Sequence, residues 1–170
     1  MGVPALVAHA AAGEAAARGR KAIIVWLDES GERKEADARE IRYVYYERIF
    51  LSVPKDGRTF RDEEREEKGL PIANQFTKFA QIDRIDFEWI SNPESGAERL
   101  SLKLTHPKER KQEVSANDLA GSLHPTSPYI AFTSDGTQHR IDLLPRSPEA
   151  DRRGKARLVS ITFYVKQPPT

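Results

Sequence analysis

The sequence predicts an all-β protein assembled from two related halves. Three observations carry that prediction. Ile85, Phe87 and Trp89 alternate with Asp86 and Glu88, the period of two that a strand with one buried face requires. The spacing returns near the C-terminus, where Leu158, Ile161, Phe163 and Val165 are interleaved with Thr162 and Tyr164. Between Arg42 and Val53 lies a run rich in aromatic and β-branched residues, closed by Asp56-Gly57. Such residues favour a pleated, half-buried surface, and Asp-Gly is a strong hairpin signal.

Taken in order, Met1 to Arg20 is an alanine-rich leader whose Ala8-His9-Ala10 fits a signal-cleavage pattern, with export to the periplasm or beyond expected. The fit is incomplete because no Lys or Arg precedes Val3. The other reading is a floppy or weakly helical leader on a cytoplasmic protein. Ile23, Val25 and Leu27 make a first strand that is apolar on both faces, and Asp28-Glu29-Ser30-Gly31 turns it. Arg33 to Ile41 returns as a second strand, and Arg42 to Val53 is a third. Pro54 to Gly57 is a turn, and Arg58 to Arg61 starts the strand that follows it.

Asp62 to Lys68 has no apolar residue and reads as a solvated loop or one helical turn. Leu70 to Phe79 is connecting sequence of no clear period. Ile82 is out of phase with the strand behind it, which calls for a turn before Ile85. Ser91 to Ala97, with Asn-Pro and Ser-Gly, is the linker between the halves. Beyond it come strands at Leu100 to Leu104, Gln112 to Leu119, Tyr129 to Thr133, Gln138 to Leu144 and Leu158 to Lys166. His106-Pro107-Lys108, the two-proline loop Gly121 to Pro128, Ser134-Asp135-Gly136 and Pro145 to Gly154 separate them. The units are therefore 22–90 and 99–166, with a leader at 1–21, a linker at 91–98 and a proline-rich tail at 167–170.

The halves match element by element. Leu27 falls on Leu104, and Ala36, Ala38 and Ile41 fall on Val114, Ala116 and Leu119. Phe50 to Val53 falls on Tyr129 to Phe132, and Asp56-Gly57 falls on Asp135-Gly136. Ile82, Ile85 and Phe87 fall on Leu158, Ile161 and Phe163. In strand order and apolar pattern each half resembles the small five-stranded barrels of the SH3-like and Sm-like kind. That resemblance implies two barrels packed together, each with a short helical turn before its last strand. The competing architecture is a single β-sandwich or barrel with strands exchanged between the repeats. No family motif accompanies the likeness, and small barrels host many functions.

Composition narrows the chemistry. The chain has 170 residues, 38% hydrophobic and 31% charged, and no cysteine, so disulfides, thiolate metal sites and cysteine nucleophiles are excluded. No apolar run approaches the roughly 20 residues of a membrane span. The net charge of +1 hides an asymmetry. Residues 22–89 carry 12 Lys and Arg against 16 Asp and Glu, a net of −4; residues 99–165 carry 11 against 7, a net of +4. Halves that dock on each other or on a charged partner fit this division, as does drift in solvated surface charge.

No phosphate loop, dinucleotide fingerprint or nucleophile elbow is present, and no cofactor or metal is expected. The four histidines have no metal-ligand spacing. His106 and His124 read as solvated turn residues, and His139 as a surface strand residue. Asp83, Asp86 and Glu88 read as the solvent side of a strand rather than a cation or acid–base row. Tyr43, Tyr45, Tyr46 and Arg48 are the candidate binding residues, because tyrosines and arginines on a sheet stack bases or sugars or anchor a protein. Only one strand face can be the platform. The function expected is a non-enzymatic binding or assembly module for another protein. Nucleic-acid or polyanion binding by Lys103, Lys108, Arg110, Lys111 and Arg140 is the alternative. An enzyme with a carboxylate site between the halves is the weakest.

Overall fold

The computed structural model describes residues 21–51, 57, 59–143 and 156–164. The leader, the Pro54–Asp56 part of the predicted turn, the Pro145–Gly154 loop and the C-terminal tail lie outside these residues. The described chain is all-β and every strand pair is antiparallel. None of its helices is long and apolar enough to cross a membrane.

β1 (Ala22–Leu27) and β2 (Arg33–Leu51) form a hairpin around the Asp28–Gly31 turn. The Asp28 carboxylate holds that turn by accepting from the backbone N–H groups of Ser30 and Glu32, both at 2.9 Å. β3 (Thr59–Glu67) pairs with the distal half of β2, then β4 (Gly69–Ile72) and β5 (Gln75–Lys78) make a second, separate hairpin. A 3-10 turn at Phe79–Gln81 leads into β6 (Arg84–Ser91). It supplies the turn that the displaced Ile82 called for. β7 (Glu98–His106) and β8 (Arg110–Ser115) follow, then β9 (Tyr129–Ser134), β10 (Thr137–Asp142) and β11 (Arg157–Phe163).

One large sheet runs β10-β9-β2-β1-β11-β6-β7-β8, with β3 beside β2. Two separate barrels do not form, and the sheet does not close. The reason lies in its middle: β11, the last strand among the described residues, inserts between β1 and β6, and β6 pairs onward with β7. β11 and β6 thus lie between β1 and β7, and among the described residues β8 and β10 end the run. At the centre Ile85 stands directly opposite Ile161, flanked by Asp86 opposite Ser160 and Arg84 opposite Thr162.

Four sequence readings change. The strands expected at Arg33–Ile41 and from Arg42 onward are one, β2, because the chain passes between them through a bulge at Glu40 rather than a turn. Asp62 to Lys68 is mostly strand, because cross-strand Arg–carboxylate pairs replace the missing apolar contacts: Arg48 with Asp62 at 3.1 Å, Arg42 with Glu66 at 3.0 Å, and Arg65 with Glu47. Leu70 to Phe79 forms the β4–β5 hairpin, whose Leu70 and Ile72 are buried. The strand expected to run to Leu119 stops at Ser115, where the Ser115 hydroxyl accepts from the Asn117 N–H at the start of a 3-10 turn.

Among the described residues the buried apolar side chains form one cluster. It includes Ile24, Leu70, Ile82, Ile85, Leu102, Leu104, Ile130, Phe132, Leu158 and Ile161, drawn from nearly every element. Phe79 stacks on Phe163 at 5.5 Å and joins the 3-10 turn to the last strand. The opposite face of β6 is polar, with Asp86 on Arg84 at 2.9 Å and Glu88 on Lys103 at 2.9 Å.

Candidate protein-binding arm

β2 changes neighbours along its 19 residues. Its first part pairs with β1, and its middle pairs with β9 as far as Val44 opposite Tyr129. The ladder is bulged between Arg39 and Arg42, where Glu40 takes a φ of 53°; a bulge of this kind bends a strand and increases its twist. From Tyr45 to Leu51 the only strand beside β2, among the described residues, is β3. The chain here is a two-stranded arm of about 20 Å at strand rise.

The four candidate residues divide between the two sides of β2. Tyr43 and Tyr45 belong to the core. The Tyr43 hydroxyl donates to the Ala120 carbonyl, and burial, with a smaller contribution from Tyr45, pushes its pKa well above the usual phenol value. These two residues are structural, and the platform they could have made does not exist. Tyr46 and Arg48 face outward. The Tyr46 hydroxyl donates to Glu64 Oε2 at 3.1 Å and Tyr129 donates to Glu64 Oε1 at 3.3 Å. The Glu64 carboxylate raises the Tyr46 pKa; Tyr129 is raised by burial first and Glu64 second. Arg140 lies over the Tyr129 ring at 3.9 Å, and Arg48 over Phe60 at 5.8 Å. The outer face is therefore a ladder of alternating charge and aromatic ring.

The tip of this face carries what the sequence reading missed. Phe50 and Phe60 sit opposite each other, edge to face at 5.7 Å, and are 57% and 49% exposed. Sequence alone gives Phe50 as part of an apolar strand and Phe60 as part of the short Arg58–Arg61 start of the next, without placing the two side by side. Pairing Phe60 with Phe50 in the same register as Arg48 with Asp62 would have revealed the cluster.

A strap, Ala120–Pro125, wraps the base of the arm. Ala120 accepts from Tyr43 on the inner side, and Gly121 (φ 80°) lies so close that a Cβ there would fall 2.7 Å from the Tyr45 Cβ. On the outer side His124 stacks on Tyr46 at 5.9 Å, its side chain only 7% exposed. His124 Nδ1 accepts from the Thr126 N–H at 2.9 Å, which puts the proton of the neutral ring on Nε2. Nε2 lies 3.1 Å from Asp62 Oδ1 but off the line of a good hydrogen bond. Arg48, and after it His124, holds the Asp62 pKa below its usual range. Between strap and arm is an open cleft of about 440 Å³ lined by Tyr46, Glu47, Arg48, Leu119, Leu123 and Pro125, among others, with Leu123 91% exposed.

The other histidines are also held. His106 is buried, its Nε2 2.7 Å from Gln112 Oε1, and His139 stacks on Phe132 at 4.8 Å. The solvated-turn reading of His106 and His124 is thus corrected: in each, a ring nitrogen has a partner that replaces water. The polyanion set is divided. Lys108, Arg110 and Lys111 cluster at the exposed β7–β8 turn, whereas Lys103 is paired with Glu88 and Arg140 with Asp142. Arg140 lies on β10, the sheet edge opposite β8. Comparison with protein-family models, curated proteins and solved structures gives no match.

Proposed function

We propose that the protein is a non-enzymatic binding or assembly module that takes a protein partner on the β2–β3 arm. The observation that carries this reading is the exposed Phe50–Phe60 pair at the end of an arm otherwise laced by ion pairs. The cross-strand contact of the two phenylalanines uses only part of their apolar surface, and what they leave in solvent is the kind of surface that partners bury. Arg48 beside Phe60 and the cleft at the arm's base add the aromatic and arginine anchors that concentrate binding energy at interfaces. The test is capture from cell extract by the full chain and by a Phe50→Ser/Phe60→Ser variant. The wild type retains a protein that the variant loses; identical captured sets from both would sink the reading.

The finer architecture belongs to the same proposal: two related halves with their closing strands exchanged. In support, a two-fold relation requires equivalent residues to meet at the axis, and Ile85 opposite Ile161 does this with matching neighbours on either side. Leu104 opposite Ile85 then corresponds to Ile24 opposite Ile161, three residues earlier than the Leu27 of the sequence alignment. On this reading the β4–β5 hairpin corresponds to β9–β10, each closed by a two-residue turn with a positive φ at its first residue, Ala73 or Asp135. Among the described residues the β2–β3 arm then has no counterpart in the second half, so this pairing of elements departs from the alignment that laid Phe50 to Val53 on Tyr129 to Phe132. An element added to one copy of a duplicated scaffold suits a surface that carries the function.

A further inference from the structure

We infer that the occupant of the arm is a second copy of this chain, paired antiparallel along the free edge of β2 with Ile49 on the two-fold axis. The inference rests on the binding role proposed for the arm and names its partner.

A strand edge offers a row of unpaired backbone N–H and C=O groups, and another extended backbone is what satisfies that row. β2 presents such an edge beyond Val44, where the β9 ladder ends while the β3 ladder on the other side continues to Leu51 opposite Thr59. The strap crosses this edge at Tyr45, and the open cleft keeps it clear of Glu47 and Arg48. The described free stretch is Glu47–Leu51.

Symmetry restricts how that stretch can pair with itself, because one residue must stand opposite its own copy. Centring on Glu47 opposes two carboxylates, and centring on Arg48 opposes two guanidinium groups, both unfavourable. Centring on Phe50 moves Arg48 off the other copy's Phe50 and forgoes that cation–π contact. Centring on Ile49 pairs all five: Ile49 with Ile49, Arg48 with Phe50, and Glu47 with Leu51. No like charges are opposed. Each Arg48, already over Phe60 at 5.8 Å, gains the other copy's Phe50. The two Phe50–Phe60 pairs come to one face of a four-stranded arm, and Leu51 of each copy arrives at the mouth of the other's cleft, beside Leu119, Leu123 and Pro125. Five paired residues and four phenylalanines make a contact smaller than a standard stable interface, so the dimer is weak and concentration-dependent.

The absence of cysteine in the sequence permits a direct test. Antiparallel neighbours have Cα atoms about 4.5–5.5 Å apart, within the range a disulfide bridges. Full-length Ile49→Cys, oxidised mildly over a concentration series, forms a covalent dimer on a non-reducing gel well before Glu94→Cys, placed on the exposed 92–97 turn. In sedimentation velocity the wild type shifts from monomer towards dimer from low micromolar to near-millimolar concentration. Ile49→Lys and Ile49→Glu each weaken dimerisation at least about tenfold, and their equimolar mixture restores it. Circular dichroism establishes that both variants fold; if either does not, the conservative Cys substitution carries the test alone. A wild type that stays monomeric, or equal cross-linking of the two Cys variants, overturns the inference. A monomeric chain that still captures another protein through Phe50 and Phe60 overturns the second copy and leaves the binding role standing. Failure of both removes both.

Discussion

Replacing Tyr43 by Phe separates the structural tyrosines from the binding face. Tyr43 is fully buried and its hydroxyl donates to the Ala120 carbonyl, the first residue of the strap. Phe keeps the ring and leaves that carbonyl without its donor. Loss of one partner of a buried hydrogen bond costs about 1–2 kcal/mol, and for a chain of this size that lowers Tm by roughly 2–4 °C per kcal/mol. The pH dependence gives a second, independent signature. Because the folded-state pKa of Tyr43 is raised, the folded chain keeps a proton that the unfolded chain releases above about pH 10. Its contribution to stability is therefore complete below pH 10 and is lost as pH rises above it, by up to about 1.4 kcal/mol per pH unit. Urea unfolding of wild type and Tyr43→Phe from pH 7 to pH 11 measures both effects. The wild type is the more stable at neutral pH, and the gap narrows above pH 10. An unchanged midpoint at pH 7, or a gap that does not move with pH, would refute the burial and hydrogen bonding assigned to Tyr43. Capture of a partner should be the same for both proteins at neutral pH.

Three further outcomes can be checked on the same footing. Gly121→Ala forces a Cβ against the Tyr45 Cβ at a φ of 80°. It should cost at least about 1–2 kcal/mol, and an unfolding midpoint equal to wild type would mean that the strap does not cross there. Leu102→Ala empties a fully buried site in the middle of β7 and should destabilise by about 2.7–5 kcal/mol in chemical denaturation; a loss under about 1 kcal/mol would contradict the single packed cluster. Asp62 has a lowered folded-state pKa, so its stabilisation is present above the usual carboxylate value and is lost as pH falls through the lower folded value. Asp62→Asn should flatten that part of the acid-unfolding curve, and an unaltered curve between pH 5 and pH 2 would count against the Arg48 and His124 contacts.

The strand content was legible residue by residue because the buried positions of half-buried strands recur with a period of two. Ile85 with Phe87, Leu100 with Leu102 and Leu104, and Ile161 with Phe163 are all inward, as their alternation requires. Turn chemistry was equally local: Asp28 to Gly31 and Asp135-Gly136 close hairpins where their side chains and positive φ angles predict. Asp62 to Glu67 defeated the same reading. That strand is held by charge pairs with β2, and a partner 14 to 24 positions away leaves no mark on local periodicity.

Which side of Arg42–Leu51 is buried lay beyond alternation, which divides tyrosines into two sets without saying which one meets the core. The strap decided it, since Ala120 and Gly121 cover Tyr43 and Tyr45 and leave Tyr46 and Arg48 outside. Strand partners are also a tertiary outcome: each apolar edge of β6 and β11 satisfies a neighbour from either half equally well by pattern alone. Local sequence thus determined that this chain is made of strands and where most of them turn. Only the assembled sheet decided that the first strand pairs with the last, because backbone hydrogen bonding between strands is indifferent to sequence distance. The same assembly raised Phe50 and Phe60 on an arm in solvent.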